Sequence, residues 1–167
     1  MFVFYNQNVY FPTQKCIILY RESGKEIFIM ADKKVRFAIV GVGGLGRSHA
    51  MGVRNNKDIA ELVAFCDINE EILNKRADEF GVERRYVDFY EMLKDGGFDC
   101  VILVTPDQIH REHAVAACEA GYHVLCEKPL AQTVEDCELM VAAAKKSGVK
   151  FMTGQVCRKA PGFIKAK

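Results

Sequence analysis

"VRFAIVGVGGLGRSH" (Val35–His49) decides the fold. Six residues, almost all apolar, run straight into Gly41, Gly43 and Gly46, spaced Gly-x-Gly-x-x-Gly. A near-continuous apolar run is what a strand covered on both faces requires. Each glycine has a separate task in such a turn. The first permits the tight bend, the second lets a pyrophosphate approach the backbone, and the third lets helix and strand pack closely. A helix starting near Leu45 would point its unpaired N–H groups at those phosphates. Gly44 adds a fourth glycine, which taken alone fits a merely flexible loop. The order strand, glycines, helix is the context that gives the motif meaning.

Reading outward, four more apolar runs have strand length: residues 61–67, 99–105, 122–127 and 149–155. Helical patterns lie between them. Ile72, Leu73, Ala77 and Phe80 share one face, with Gly81 as a stop. Ile109, Ala114, Ala117 and Cys118 share another, ended by Gly121. In "TVEDCELMVAAAKKSG", Thr133 is a cap, Lys145 and Lys146 sit at the negative end of the dipole, and Gly148 closes the helix. Val134, Cys137, Val141 and Ala144 are the expected buried stripe. Strand and helix alternating at this spacing predict right-handed crossovers and a doubly wound parallel α/β sheet, the Rossmann arrangement.

The second strand ends at Asp67, 21 positions beyond Gly46. An acid there is placed to accept hydrogen bonds from the adenosine ribose hydroxyls and to repel a 2′-phosphate, which favours NAD over NADP. The competing reading of Asp67 is a cap for the helix that follows. Ligands on such sheets lie beyond the carboxyl ends of the strands. The third apolar run is followed by Thr105, Pro106 and His110, the fourth by Glu127, Lys128 and Pro129, and the last by Arg158. A buried strand ending in an acid and a base calls for an explanation. Lys128 taken alone reads as a solvated loop lysine. His110 with His113 suggests a zinc pair, but no carboxylate or cysteine cluster completes one, so no metal is expected. His113 and His123 read as ordinary helix and strand-start residues, and His49 as a packing residue of the first helix.

Bulk properties bound the rest. The 167 residues are half hydrophobic and balance 23 Lys and Arg against 22 Asp and Glu. Near-neutrality gives no general attraction to nucleic acid or an anionic membrane. No apolar run nears the roughly 20 residues that cross a bilayer. The seven cysteines are scattered without a Cys-x-x-Cys pair, as in a reduced cytoplasmic protein.

The stretches "FAIVGVGGLGRSHA", "AFCDINEE", "VTPDQIHREHAVAACEAGYHVLCEKPLA" and "GQVCRKAPGF" together resemble the glucose–fructose oxidoreductase, inositol dehydrogenase and rhizopine-catabolism (Gfo/Idh/MocA) oxidoreductases. The resemblance runs from about Lys34 to Lys167. It implies hydride transfer between a nicotinamide and a sugar, polyol or related hydroxyl or carbonyl carbon. It implies that Glu127, Lys128 and Pro129 lie beside the nicotinamide, with Lys128 near the oxygen of the reacting carbon. It also sets Thr105, Pro106 and His110 along the ribose and nicotinamide, and Arg158 near cofactor or substrate. The domain expectations are an extension at 1–33 with Met30 as the natural start, a dinucleotide-binding domain at 34–157, and at 158–167 the start of a crossover helix into a substrate domain that this chain lacks. The chain alone is then expected to bind NAD without turnover, a small-molecule substrate needing a substrate domain from elsewhere. Oligomerisation stays open. A non-catalytic NAD-binding or sensing module, or half of a split enzyme, are the alternatives.

Overall fold

The computed structural model describes residues 34–155, the backbone of residues 20–22 and 25–27, and Lys165. The expectations for the remainder of 1–33, for Cys157 and Arg158, and for a crossover helix at 158–167 lie outside the described residues. Two short strands, β1 (Tyr20–Glu22) and β2 (Lys25–Ile27), pair antiparallel as a separate ribbon.

The main fold alternates: β3 (Val35–Val40), α1 (Gly44–Asn55), β4 (Ala60–Cys66), α2 (Glu70–Phe80), β5 (Arg84–Tyr86), α3 (Phe89–Asp95), β6 (Cys100–Leu103), α4 (His110–Glu119), β7 (His123–Cys126), α5 (Val134–Ser147) and β8 (Phe151–Thr153). A 3₁₀ turn at Asp107–Ile109 leads into α4. All six strands are parallel, in the order β5-β4-β3-β6-β7-β8. The chain thus begins in the middle, winds one way, then crosses to the other half, leaving a switch point between β3 and β6.

The apolar runs are continuous because successive side chains enter two different cores. Ala38, Val40, Ala64, Cys66, Val101 and Leu103 face one cluster, closed by Met92 of α3, Ala117 of α4 and Met140 of α5. Ile39, Phe65 and Ile102 face the opposite cluster, closed by Ala50 and Val53 of α1 and Leu73 and Ala77 of α2. A half-exposed sheet would have alternated apolar with polar.

Local signals behave as their chemistry requires. Thr133 Oγ1 accepts the Asp136 N–H at 3.1 Å and caps α5, while Gly81 and Gly148 end α2 and α5 in the left-handed conformation. Asn69, not Asp67, caps α2, its Oδ1 accepting the Ile72 N–H at 3.0 Å.

Two elements have no counterpart among the sequence expectations. The edge strand β5 reads Arg-Arg-Tyr, because an edge needs no apolar run. The helix α3 has only seven residues, too few for periodicity to register, though Phe89, Met92 and Leu93 are all buried. The stripe of α5 also differs. Val134 is 69% exposed and Val141 40%. Ala144 is buried as expected, but Met140 and Ala143 are its buried companions, because α5 turns this face toward α4. An ion pair between Arg111 and Asp136 at 2.9 Å fastens the same two helices.

Candidate functional site

The register lines up the strand ends. Val40 pairs with Cys66 and with Leu103, Cys66 with Tyr86, Leu103 with Cys126, and Cys126 with Thr153. Each is the last residue of its strand. The next residues therefore form a row along the carboxyl edge: Gly41, Asp67, Val104, Glu127 and Gly154. This row is the floor of the candidate site.

At the switch point the glycines divide by what surrounds them. Gly41 has φ +83°, and a Cβ there would sit 2.5 Å from the Val104 carbonyl oxygen. A Cβ on Gly46 would sit 2.0 Å from the Gly41 oxygen. Both positions are closed by the protein itself. A Cβ on Gly43 would meet nothing within 4 Å. Gly43 is the N-cap of α1, gives no side-chain cap, and is followed by a first turn without an acid. The opening N–H groups of α1 thus have no side-chain cap and no acid in the first turn, and the positive end of the helix dipole lies there, the arrangement that receives a phosphate.

Asp67 is tied to this turn. Its Oδ2 accepts the Val42 N–H at 2.8 Å and its Oδ1 accepts the Asn69 N–H at 2.9 Å. A carboxylate offers about four acceptor sites, so each oxygen keeps capacity for a hydroxyl donor. From the other side Arg76 donates to the Val42 carbonyl at 3.2 Å. Glu79 joins Arg76 at 2.9 Å and Arg47 at 2.7 Å. These two arginines hold its carboxyl below the usual carboxylate range, led by the Arg47 hydrogen bond.

Thr105 and Pro106 follow β6. Thr105 Oγ1 is buried and has no hydrogen-bond partner, an acceptor and donor left over beside the glycine turn. Pro106 is exposed and opens the 3₁₀ turn. His110 is 1% exposed. Its Nε2 lies 2.8 Å from the Thr105 carbonyl oxygen and its Nδ1 2.9 Å from that of Pro129. The ring therefore binds two loops of the protein, and a contact of His110 itself with a ligand has no exposed atom to support it.

Glu127 is 3% exposed. Its Oε1 lies 2.8 Å from His49 Nε2, and its Oε2 accepts the Lys128 N–H at 3.0 Å. A Cβ on Gly154 would fall 2.7 Å from Oε1, so the carboxylate lies directly on the next strand end. A buried acid needs a partner. His49, read from sequence as a packing residue, is that partner. The apolar strand can therefore end in charge. The acid turns inward to an imidazole, and Lys128 stays exposed at the rim. The Lys128–Pro129 peptide is cis.

The thiols at the same edge are not nucleophiles. Burial, with Asp67 adding, pushes Cys66 up to about 12; burial, with Glu127 adding, does the same for Cys126. His113 does not join His110. It stacks on Phe89 with ring centroids 4.1 Å apart, and burial pushes its pKa down. Among the described residues no three His, Cys, Asp or Glu side chains are grouped to hold a metal ion.

The model of the oxidoreductase family with an NAD-binding Rossmann fold, Gfo/Idh/MocA, matches residues 35–155. The chain belongs to that family. An inositol 2-dehydrogenase of Salmonella typhimurium is 32% identical over 135 residues, which is 80% of this chain and 40% of that protein. The solved structure of the WlbA dehydrogenase of Bordetella pertussis, in complex with NADH and UDP-GlcNAcA, superposes with a TM-score of 0.78 at 33% identity, covering 81% of this chain and 41% of that one. The scyllo-inositol dehydrogenase of Lactobacillus casei, with NAD(H) and scyllo-inositol, gives a TM-score of 0.76 at 30% identity, covering 80% and 40%. The chain thus spans about two fifths of the length of these family members. Among the described residues no helix is long and apolar enough to cross a membrane.

Proposed function

We propose that this chain carries the NAD-binding end of a dehydrogenase that acts on a sugar, polyol or related hydroxyl-bearing carbon. The observation that supports this best is the contrast among the glycines: Gly41 and Gly46 are shut by protein backbone, whereas Gly43 has open space at its Cβ position and begins a helix with no side-chain cap, next to the Val42 N–H that Asp67 accepts. In this reading those N–H groups hold the pyrophosphate and Asp67 takes the adenosine ribose hydroxyls. Asp67 also sets the preference for NAD, since a 2′-phosphate would meet its negative charge. Arg158, outside the described residues, belongs to the proposal only through its place in the family pattern.

NAD, when bound, supplies the carbon that accepts a hydride. The protein's part is binding, orientation and charge. Lys128, exposed at the rim, is the side chain assigned to the oxygen of the reacting carbon, where an ammonium steadies developing negative charge and can share a proton. Glu127 is placed one step back. Its carboxylate is buried, so its role is to shape the turn that carries Lys128.

Thermal unfolding tests the binding, and the absence of Trp directs the readout to far-UV circular dichroism. NAD at a hundred times its dissociation constant should stabilise the fold by about 2.7 kcal/mol. NADP at equal concentration should shift the melting less. Melting that ignores millimolar NAD sinks the proposal. Binding without NAD reduction across a panel of sugars and polyols is the outcome expected of this chain by itself, and reduction at ordinary enzymatic rates would overturn that expectation.

A further inference from the structure

We propose that His49 and His110 are positioning residues for Lys128, each gripping one side of its turn from one of the two helices that flank the groove. The inference rests on the NAD reading above and adds the residues that aim its lysine. His49, on α1, holds the Glu127 carboxylate at 2.8 Å, and that carboxylate in turn takes the Lys128 N–H. His110, on α4, sets Nδ1 2.9 Å from the Pro129 carbonyl oxygen and Nε2 2.8 Å from the Thr105 carbonyl oxygen; a ring with one N–H donates to one of them, and a ring with two donates to both. Lys128 therefore hangs between a neighbour fixed by α1 and a neighbour fixed by α4. Both histidines are buried, at 4% and 1% exposure, so neither is available to the ligand itself.

Two features separate this from ordinary packing. The grips use different ring atoms: Nε2 on His49, Nδ1 on the Pro129 side of His110. Each also begins on an element that meets the proposed ligand elsewhere. α1 presents its N-terminus to the pyrophosphate, and Thr105 borders the groove. Placement of the ligand and placement of the lysine are then both tied to α1 and to the Thr105 loop that His110 of α4 contacts. A lysine on an untethered loop would lose side-chain and backbone entropy at each encounter; one held on both sides has lost it already.

The chemistry of Asn and Gln supplies a matched test on the full 167-residue chain. A Gln amide reaches where Nε2 stood and an Asn amide where Nδ1 stood. At position 49, His49→Gln keeps the donor to Glu127 and His49→Asn loses it. At position 110 the order reverses: His110→Asn places an amide donor toward the Pro129 carbonyl, and His110→Gln places one only toward the Thr105 carbonyl. Each protein is treated with an amine-acylating ester, with and without NAD, and Lys128 is followed by peptide mass mapping against exposed Lys145. ADP-ribose, which lacks the nicotinamide, is titrated in parallel.

In the unaltered chain NAD should slow acylation of Lys128 about tenfold, an ordinary size for coupling between two groups, whereas ADP-ribose should not. His49→Gln and His110→Asn should retain that protection. His49→Asn and His110→Gln should lose most of it while binding ADP-ribose as before. Equal protection in all four variants overturns the proposal. So does a loss that follows melting temperature and ignores the Asn/Gln order, which would mark the histidines as packing residues only. If one pair fails to fold, the other decides by the same contrast. If neither NAD nor ADP-ribose binds the unaltered chain, the NAD reading fails and this inference with it. Binding of both without protection of Lys128 would strike this inference alone.

Discussion

Gly46→Ala and Gly43→Ala add the same methyl group three residues apart, yet they should do opposite things. At Gly46 the new carbon would lie 2.0 Å from the Gly41 carbonyl oxygen and 2.9 Å from its carbon. A carbon and a carbonyl oxygen normally stay about 3.3 Å or more apart, so strand end and helix must separate by more than an ångström. The obstacle is backbone, which has no rotamer to change. The cost belongs at the upper end of overpacking penalties, about 3 kcal/mol. At roughly 4 °C per kcal/mol for a domain of this size, the melting temperature should fall by about 12 °C. At Gly43 the added carbon meets nothing, and the backbone there is extended, with φ −62°. Alanine is a poorer N-cap than glycine by a fraction of a kcal/mol, while the stiffer unfolded chain returns about as much. The net should be within about 0.5 kcal/mol, or roughly 2 °C. The same methyl would stand where the proposed pyrophosphate approaches, and NAD affinity should drop at least about tenfold, worth 1.4 kcal/mol. Melting followed by far-UV circular dichroism, with and without NAD, reads both quantities. Equal destabilisation by the two variants, or a full NAD-induced shift in Gly43→Ala, would refute the division of labour among the glycines.

Other perturbations follow from the same contacts. Asp67→Ser strips the acceptors from the Val42 and Asn69 N–H groups, so besides narrowing the gap between NAD and NADP it should destabilise the fold by about 1–3 kcal/mol; a narrowed gap with unchanged melting would show that the carboxylate does not brace the turn. Gly44→Ala, at the first residue of α1 with open space around it, should leave stability equal or higher by up to about 1 kcal/mol in a urea titration, and a loss would contradict the open geometry. With a disulfide reagent under native conditions, Cys66, Cys100, Cys118 and Cys126 should stay unmodified, since burial holds their thiols up at about 12, 12, 11 and 12; mass mapping that finds rapid labelling of any of them would oppose the packing described. His113 has a lowered pKa, so the folded state binds fewer protons there than the unfolded state. Its contribution is complete above the unfolded value of about 6.5 and is lost as pH falls through the folded value. His113→Phe keeps the stack on Phe89 and removes the buried, unpartnered Nδ1, so it should be stabilising by about 1 kcal/mol at pH 5.5 and by less at pH 8; a gain independent of pH would show that the histidine is not neutral in the fold.

The fold was legible because it is written in features that need no third dimension. A strand covered on both faces must be near-continuously apolar, and the four inner strands β3, β4, β6 and β7 carry that mark. The exceptions have physical causes. β5 lies at the edge and pairs with only one neighbour, so Arg84-Arg85-Tyr86 suffices. α3 is shorter than two turns. In α5 the apolar residues surround the helix widely enough that Val134 and Val141 made as good companions for Ala144 as Met140 and Ala143 do; what breaks the tie is the neighbouring helix α4, whose position no sequence window contains. The site was legible in a different measure. The positions of Gly41, Gly43, Gly46 and Asp67 follow from local spacing, but spacing cannot say which glycine is closed by the protein and which is open to a ligand. That distinction depends on Val104, an oxygen 63 residues away from Gly41.

His49 shows the same limit from the other direction. A histidine on the first helix carries no signal of its own, and Glu127 at the end of an apolar run carries one that is easily misread as exposure. Taken together they make a physical demand. A carboxylate at the end of a strand buried on both faces must either reach water or find a donor, since an unpaired buried charge costs several kcal/mol. The register puts Gly41 and Glu127 in one row with only Val104 between them. α1 leaves Gly41 directly, and its residues one turn on overhang that row. Any donor for Glu127 from that side must come from the second turn of α1, where His49 is the one side chain among Leu45, Arg47, Ser48, His49 and Ala50 that is both polar and buried. The pair follows from topology plus the cost of burying charge, and it could be sought in any sheet of this winding in which the fifth strand in chain order is followed by an acid.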